Sequence, residues 1–529
     1  MKRFFLSAFV AFGIATLCLL AILGPLISPS HTVIFHTSAP ATSLFTSVFL
    51  DLFALWTLLT TLLLVAGKPG RRQFMIWSGI VLALPPILLK NISMLQGFQL
   101  HHWMTFSLTS ACLGSFVLLS LCWSPNLLPA FTRVQRFLIV VFGFVALNGI
   151  VIVGQLLWYR WQVRDLNAPA MLHQRSLSEV HSPAHARVIW ILFDELSYQQ
   201  VYEHRFPGLA LPTFDALAQQ SAVFTHVVPA GAYTEAVVPS LLTGWPVDSI
   251  RASSDGQRLS LHNPATGAWQ RFDQHQTIFQ DALNDGYSTA VAGWYNPYCR
   301  VLSQVLDRCF WTLQLPYPGG IVPGQSVLAN LRTQVAHRRD AILSLLLPHY
   351  HRPAGQDLDT KLHVDDYVRL RSAADAMLND SAADFLFLHM PIPHPLGIYD
   401  RRRGVLTGHS TSYIDNLALA DKYLAHVRHL LEQRGEWDSS TIIIMGDHSW
   451  RTSFVWSGMD GWTPEDEAAS HNGQFDDRPG YLVKLPNQQQ GARIDTSFKA
   501  IHTRALLDAL LANQLHTPDE LRAWTKTQQ

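Results

Sequence analysis

The chain has 529 residues, enough for two or three domains with sizeable cores, and 39 Lys and Arg balance 39 Asp and Glu. A net charge of zero gives no support to a nucleic-acid partner, which would call for a basic face. The charge is also unevenly spread: before about residue 160 charged residues are rare and aliphatic runs dominate, whereas the remainder reads as a mixed globular sequence.

Five apolar segments are visible in the first part, at residues 4–27, 44–66, 74–89, 104–123 and 137–158. A bilayer-spanning helix needs about 20 apolar residues, so four qualify on length. The third is short and contains Pro85 and Pro86, and it reaches Met94 only by carrying Lys90 near the interface. Lys2 and Arg3 precede the first segment, Lys68, Arg71 and Arg72 follow the second, and Arg133 and Arg136 follow the fourth, while residues 28–43 hold no Lys or Arg. The positive-inside rule then places the N-terminus in the cytoplasm, and five spans carry the chain out on the opposite side. A cleaved signal peptide is the other reading of the first segment, but a convincing small-residue cleavage site is missing and further spans follow. The expected organisation is a transmembrane domain at 1–160, a linker at 161–186 and an extracytoplasmic domain at 187–529, in a bacterial inner membrane with the last domain in the periplasm.

Beyond the linker, continuous apolar strands alternate with helices. "RVIWILFDE" (187–195) reads as a strand, "LPTFDALAQQS" (211–221) as a helix and "AVFTHVV" (222–228) as a strand. A helix near "TIFQDALNDG", the strand "STAVAG" (288–293), amphipathic helices between about 325 and 380 and the strand "DFLFLH" (384–389) follow. The helix at 412–435 ends on Gly435, and the strands 440–446 and 480–485 come after it. Continuous apolar strands between helices call for a sheet covered on both faces, an α/β sandwich. Cys299 and Cys309 are the only cysteines of this half. In an oxidising compartment they are a disulfide candidate, with two buried free thiols as the plainer reading.

Ligands of such sheets bind outside the carboxyl ends of the strands. Three strands end there in ligand-type residues: Asp194 and Glu195, then His389 followed by His394, then Asp447 and His448. One such ending is common, because Asp is also a turn and N-cap residue; three favour a site. Among 24 His a lone one is more often background, and His389 is assigned to that background. Carboxylates and an imidazole suit Zn²⁺ or Mn²⁺, with Mg²⁺ or Ca²⁺ also compatible.

The stretches "VIWILFDELS", "AYTEAVVPSLLTG", "PIPHP" and "IIIMGDHSW" stand in an order and spacing that resembles the alkaline phosphatase superfamily, in its sulfatase-like, membrane-anchored branch. That branch includes phosphoethanolamine transferases of lipid A and lipoteichoic acid synthase. The resemblance covers roughly residues 187–486 and implies one divalent ion held by Glu195, Asp447, His448 and the nucleophile Thr234, with Asp194 as a further or supporting ligand. It also implies that His394 contacts the substrate anion or leaving group and that His471 is a substrate-side histidine. A plain helix N-cap is the alternative reading of Thr234. Where sulfatases carry a modified Cys or Ser and a following Arg, this chain has Val237 and Leu241, and Trp294 and Asn296 replace their sulfate-binding Lys and His. The resemblance therefore implies transfer of a phospho-headgroup from a membrane lipid donor to an envelope glycan or lipid acceptor. A phosphodiesterase or sulfuric ester hydrolase of the same fold, and a catalytically silent envelope-assembly protein, are the alternatives.

Overall fold

The structure is a computed structural model and describes residues 1–96, 102–166, 171–173, 186–346, 357–457, 459 and 461–528. Most of the expected linker, 167–170 and 174–185, lies outside the described residues. The chain divides into two compact units that are interleaved in sequence. One comprises Met1–Ile34, Ala39–Leu166 and Pro316–Arg352, the other Phe35–Ser38, Asn167–Leu315 and Pro353–Gln529.

Among the described residues of the first unit, four helices are long and apolar enough to cross a bilayer: Thr42–Val65, Arg71–Gln96, Trp103–Leu121 and Pro125–Asp165. The first expected span is a pair of helices, Lys2–Cys18 and Leu20–Ile27, bent by 75°, which makes a fifth span if counted as one. A break inside lipid leaves backbone carbonyls that water cannot satisfy. Asn91 satisfies them here, donating its side-chain amide to the Leu17 carbonyl at 3.0 Å and the Cys18 carbonyl at 3.1 Å. The helix bearing Asn91 runs unbroken through Pro85 and Pro86, so this span is longer than the apolar segment suggested. The apolar run stops at Lys90 because Asn91 faces the bundle rather than the lipid. Helix Val327–Leu346, expected among the soluble elements, belongs to this unit as well. Its Arg338 pairs with Asp51 of Thr42–Val65 at 3.1 Å, and Asn330 reaches Ser47 at 3.4 Å. An acid inside a span needs such a partner.

The second unit is built on an eight-stranded sheet. In chain order its strands are β1 (Val188–Asp194), β2 (Ala222–Phe224), β3 (Thr289–Trp294), β4 (Arg308–Thr312), β5 (Phe385–Pro393), β6 (Thr441–Gly446), β7 (Tyr481–Lys484) and β8 (Ala492–Ile494). Their order across the sheet is β8-β2-β7-β6-β1-β5-β3-β4. The strands from β6 to β4 are parallel, and β7 is antiparallel to both β6 and β2. Every residue of β1 is buried. Ile189, Ile191 and Phe193 join the core under the helices Pro212–Ala218, Leu358–Leu378 and Tyr413–Gln433, whereas Val188, Trp190 and Leu192 join the core under Thr234–Thr243, Ile278–Asn284 and Thr503–Leu511. Helices on both faces are why the strand is an unbroken apolar run; each fully buried aliphatic side chain contributes about 1.5–3 kcal/mol.

Two features had no signal in the apolar pattern. A three-stranded antiparallel sheet is formed by Ser249–Ala252, Leu259–Asn263 and Ala268–Arg271, and a hairpin by Gly397–Asp400 and Val405–Thr411. The inner face of the small sheet, Ile250, Ala252, Leu259 and Leu261, closes over Phe35. Arg300 fixes that short segment by donating to the carbonyls of Phe35 at 2.8 Å and Thr37 at 3.2 Å.

Cys299, in the short helix Tyr298–Val301, and Cys309 of β4 form a disulfide across a sequence separation of ten residues. Closing a loop of this size restricts the unfolded chain by about 2–3 kcal/mol. Peptide mapping without reductant is expected to recover the linked pair, and Cys299→Ser with Cys309→Ser to lower the unfolding midpoint of the full chain; recovery of two alkylated thiols from the membrane-derived protein would contradict the bond.

Candidate active site

The parallel register determines what meets at the carboxyl edge. Leu192 of β1 lies level with His389 of β5 and Met445 of β6, and Phe193 lies level with Met390 and Gly446. Side chains alternate between faces. Asp194, His389 and Asp447 are therefore of one parity with Leu192, on the face covered by the helix Thr234–Thr243. All three are buried, and their ligand atoms lie within 4.8 Å of one another. At Gly446 an added Cβ would stand 2.7 Å from the Leu196 carbonyl oxygen, so only glycine lets β6 reach this position.

Tyr233, in extended conformation, occupies the N-cap of the helix, and Thr234 is its first residue. The Thr234 hydroxyl is thus not spent on capping. It donates to Asp447 Oδ2 at 2.7 Å and lies 3.4 Å from His448 Nε2. His448 Nε2 is 3.2 Å from Asp447 Oδ2 and 4.0 Å from Asp194 Oδ1. Asp447 Oδ1 accepts from the backbone N–H groups of Glu195 at 3.0 Å and His448 at 2.7 Å.

Glu195 is held differently from its neighbours. Its backbone sits in the left-handed region, φ 66°, which swings the carboxylate out of strand alternation. Arg451 grips that carboxylate through Nε at 2.8 Å, through Nη2 and through its backbone N–H at 3.2 Å; Trp456 Nε1 adds contacts at 2.9 and 3.0 Å. Tyr413, stacked 4.1 Å from Trp450, donates its hydroxyl to the Glu195 carbonyl at 2.8 Å. Glu195 still belongs to a second trio, with buried Asp194 and half-buried His394, whose ligand atoms also lie within 4.8 Å of one another. His394 engages the Pro395 carbonyl through Nδ1 at 2.8 Å, which leaves Nε2 as its proton-accepting nitrogen.

His389, set aside as background on sequence, is fully buried within this group, with Nδ1 2.7 Å from the Tyr298 hydroxyl. Its position at a strand end was a signal, and parity with Asp194 would have singled it out. Arg451 and Trp456 carried no such signal, because they follow "GDHSW" at the two ends of a single π-helical turn, Thr452–Trp456, that has no apolar period. His471 is exposed, and its ring contacts His204, 5.6 Å away, rather than any member of the buried group. Val237 and Leu241 are fully buried apolar core residues. Trp294 stacks on His363 and donates to Asp366 at 3.1 Å.

The electrostatics follow from burial. Desolvation, then the charges of Asp447 and Glu195, hold the Asp194 carboxyl well above the usual carboxylate range. Burial pushes His389 down to about 4 and, with His363 beside it, His394 well below the usual imidazole value, so both rings are neutral. Burial disfavours the charge of Arg451, but the carboxylates of Glu195 and Asp194 outweigh it and raise its pKa. Three carboxylates and one guanidinium leave the group short of positive charge. Asp194 Oδ1 and His389 Nε2 are also buried without a hydrogen-bond partner among the described residues. Buried polar atoms of that kind are costly unless a ligand engages them. A divalent cation fits this donor set of carboxylate oxygens and imidazole nitrogens.

A family model described as Sulfatase matches residues 186–486, more than half of the chain, from just before β1 to just beyond β7. The chain belongs to the sulfatase family. Its members, like the alkaline phosphatase superfamily around them, are hydrolases and transferases acting on esters with a divalent metal. Among solved structures, the phosphonate monoester hydrolase of Agrobacterium radiobacter is similar at 15% identity and TM-score 0.39, covering 62% of this chain and 74% of its own. The lipoteichoic acid synthase LtaP from Listeria monocytogenes is similar at 13% identity and TM-score 0.36, covering 68% and 79%. An alkaline phosphatase superfamily protein from Vibrio parahaemolyticus is similar at 14% identity and TM-score 0.35, covering 65% and 68%. No curated protein sequence matches the chain.

Removing Arg451 from this sulfatase-family site leaves Glu195 buried and unpaired. Arg451→Ala is expected to cost about 3–5 kcal/mol, read as a lower denaturant midpoint of the full chain in detergent, whereas Arg402→Ala, at an exposed position, is expected to leave the midpoint unchanged. Equal midpoints for all three proteins would show that Glu195 does not depend on Arg451.

Proposed function

We propose that this membrane-anchored protein transfers a phospho-headgroup from a membrane lipid to an envelope glycan or lipid through a covalent intermediate on Thr234, on the extracytoplasmic side of a bacterial inner membrane. The observation that carries this reading is the Thr234 hydroxyl, held 2.7 Å from Asp447 Oδ2 within a buried acidic group. Asp194, Asp447, His448 and His389 are the residues that would hold one divalent ion, Zn²⁺ or Mn²⁺ by donor type, with Glu195 and His394 beside them. Such an ion supplies positive charge that lowers the pKa of a hydroxyl and offsets charge developing on a phosphoryl group.

The chain's own groups do the rest. Asp447 orients Thr234 Oγ1 and accepts its hydrogen bond, and the partial positive charge of the helix N-terminus favours an anionic ester there. As the bond from Oγ1 to phosphorus forms, the bond from phosphorus to the lipid oxygen breaks. The hydroxyl proton passes through Asp447 Oδ2 and ends on the leaving oxygen. In the second half, the acceptor hydroxyl loses its proton to His394 Nε2 as its oxygen bonds to phosphorus; the bond from phosphorus to Thr234 Oγ1 breaks, and the proton on His394 passes to Oγ1, returning both groups to their starting state. Burial keeps His394 neutral, as a proton acceptor must be. A silent assembly role leaves the buried charged group without a purpose, since such a group opposes folding unless it is used.

Labelled phospholipid supplied with envelope glycans to the full chain in membranes tests the reaction. The label is expected on the glycan, with a phosphorylated Thr234 peptide in mass spectra, and Thr234→Ala is expected to lower transfer by about 10³-fold or more. Release of label only as free headgroup or phosphate would replace transfer with hydrolysis.

Metal content is a separate readout. Elemental analysis is expected to give one divalent ion per chain, lost in Asp447→Ala with His448→Ala and reduced in His389→Ala. Retention in the double variant would remove both residues from the ligand set.

A further inference from the structure

A cavity of about 560 Å³ opens beside the small three-stranded sheet, lined by Arg258, Arg271, Arg300 and His275, one acid, Asp273, and several glutamine amides. None of the residues around Thr234 lines it. The acid is already committed, because the Asp273 carboxylate accepts from the His275 backbone N–H at 3.0 Å and starts the turn there. Arg300 is anchored in the wall by the Phe35 and Thr37 carbonyls and by the Gly256 carbonyl at 3.2 Å. Arg258 and Arg271 are exposed and make no ion pair or hydrogen bond through their side chains among the described residues. Asp255, whose charge Arg258 feels, is held by the Ser253 hydroxyl and, at 3.1 Å, by the Gln257 N–H. The His275 ring faces amide oxygens on both sides, Gln280 at 2.7 Å and Gln304 at 3.2 Å, an arrangement that favours its cationic form.

We propose that this cavity is an accessory anion-binding subsite for a phosphate or carboxylate group carried on a hydroxyl-rich ligand, of which a phosphorylated saccharide is the type. Guanidinium groups pair with two oxygens of such an anion at once, and amide side chains both donate to and accept from hydroxyls. The volume falls within the roughly 300–1,000 Å³ of small-molecule sites, well beyond what a bare phosphate fills. The proposal does not rest on the role of Thr234, so the two stand or fall separately.

Hydrogen exchange on the full-length protein in detergent tests it, read on peptides covering residues 257–276 and, independently, 234–243. Glucose 6-phosphate is expected to slow exchange in the first region and glucose is not. Arg258→Glu with Arg271→Glu is expected to raise the concentration needed by at least about tenfold for each charge-assisted hydrogen bond removed, with exchange elsewhere unchanged. Weaker protection by inorganic phosphate than by glucose 6-phosphate supports the subsite as proposed, whereas equal protection by the two would overturn the hydroxyl-rich ligand and leave a site for the free anion. Equal protection by glucose, protection that survives in the double variant, or no protection by either phosphate would overturn it.

Discussion

The second unit is organised by the repulsion of three buried carboxylates, Asp194, Glu195 and Asp447, brought together at the ends of adjacent strands. Burial opposes each charge, and proximity opposes them jointly. The surroundings answer in three ways. Arg451 and Trp456 bind Glu195, backbone N–H groups and the Thr234 hydroxyl donate to Asp447, and Asp194 is held toward its neutral form. What remains is a concentration of acceptors directed at one point, which a cation would relieve. The parallel register of β5, β1 and β6 maintains that geometry, since a slip of one residue would turn Asp194 or Asp447 to the other face.

Much of the sheet was legible because both faces are covered. That constraint forces unbroken apolar runs, and the runs at 188–194, 385–389 and 441–446 are the strands flanking the site. The ligand-type residues at their ends were equally plain. His389 was less legible: frequency argued that one histidine among many is background, whereas alternation along β5 places it level with Leu192 and hence beside Asp194. Glu195 shows the converse. A carboxylate in a ligand position was easy to read, but the positive φ that rotates it toward Arg451 depends on tertiary contacts with Tyr413 and Trp456 that no local pattern encodes.

The apolar N-terminal part was legible by length and hydropathy, and less so where polar groups serve the bundle. Lys90 and Asn91 ended an apolar run in the sequence, yet Asn91 repairs the carbonyls released by the bend after Cys18. Helix Val327–Leu346 has an ordinary polar composition, and its pairing through Arg338 with the buried acid Asp51 is visible only in the structure. Interleaving of this kind, like the placement of Phe35–Ser38 with the other unit, arises from single long-range contacts and leaves no periodic trace.

The position of Thr234, the nucleophile of the proposed reaction, follows from the same packing. Val237, the residue that the sequence resemblance sets against the modified residue of sulfatases, is fully buried in the core beneath β1, its methyl 3.2 Å from where a side chain on Gly231 would begin. A polar nucleophile there would lose its hydration without gaining a partner, at a cost of about 1–3 kcal/mol. Thr234, one turn earlier, starts the helix and so lies at the edge of that core, where its hydroxyl meets Asp447 and its backbone adds the positive end of the helix. On the proposed reading, the nucleophile occupies the position on this helix where a hydroxyl can be oriented by a carboxylate while the following turn remains apolar, and the core that excludes Val237 from chemistry is what holds Thr234 in place.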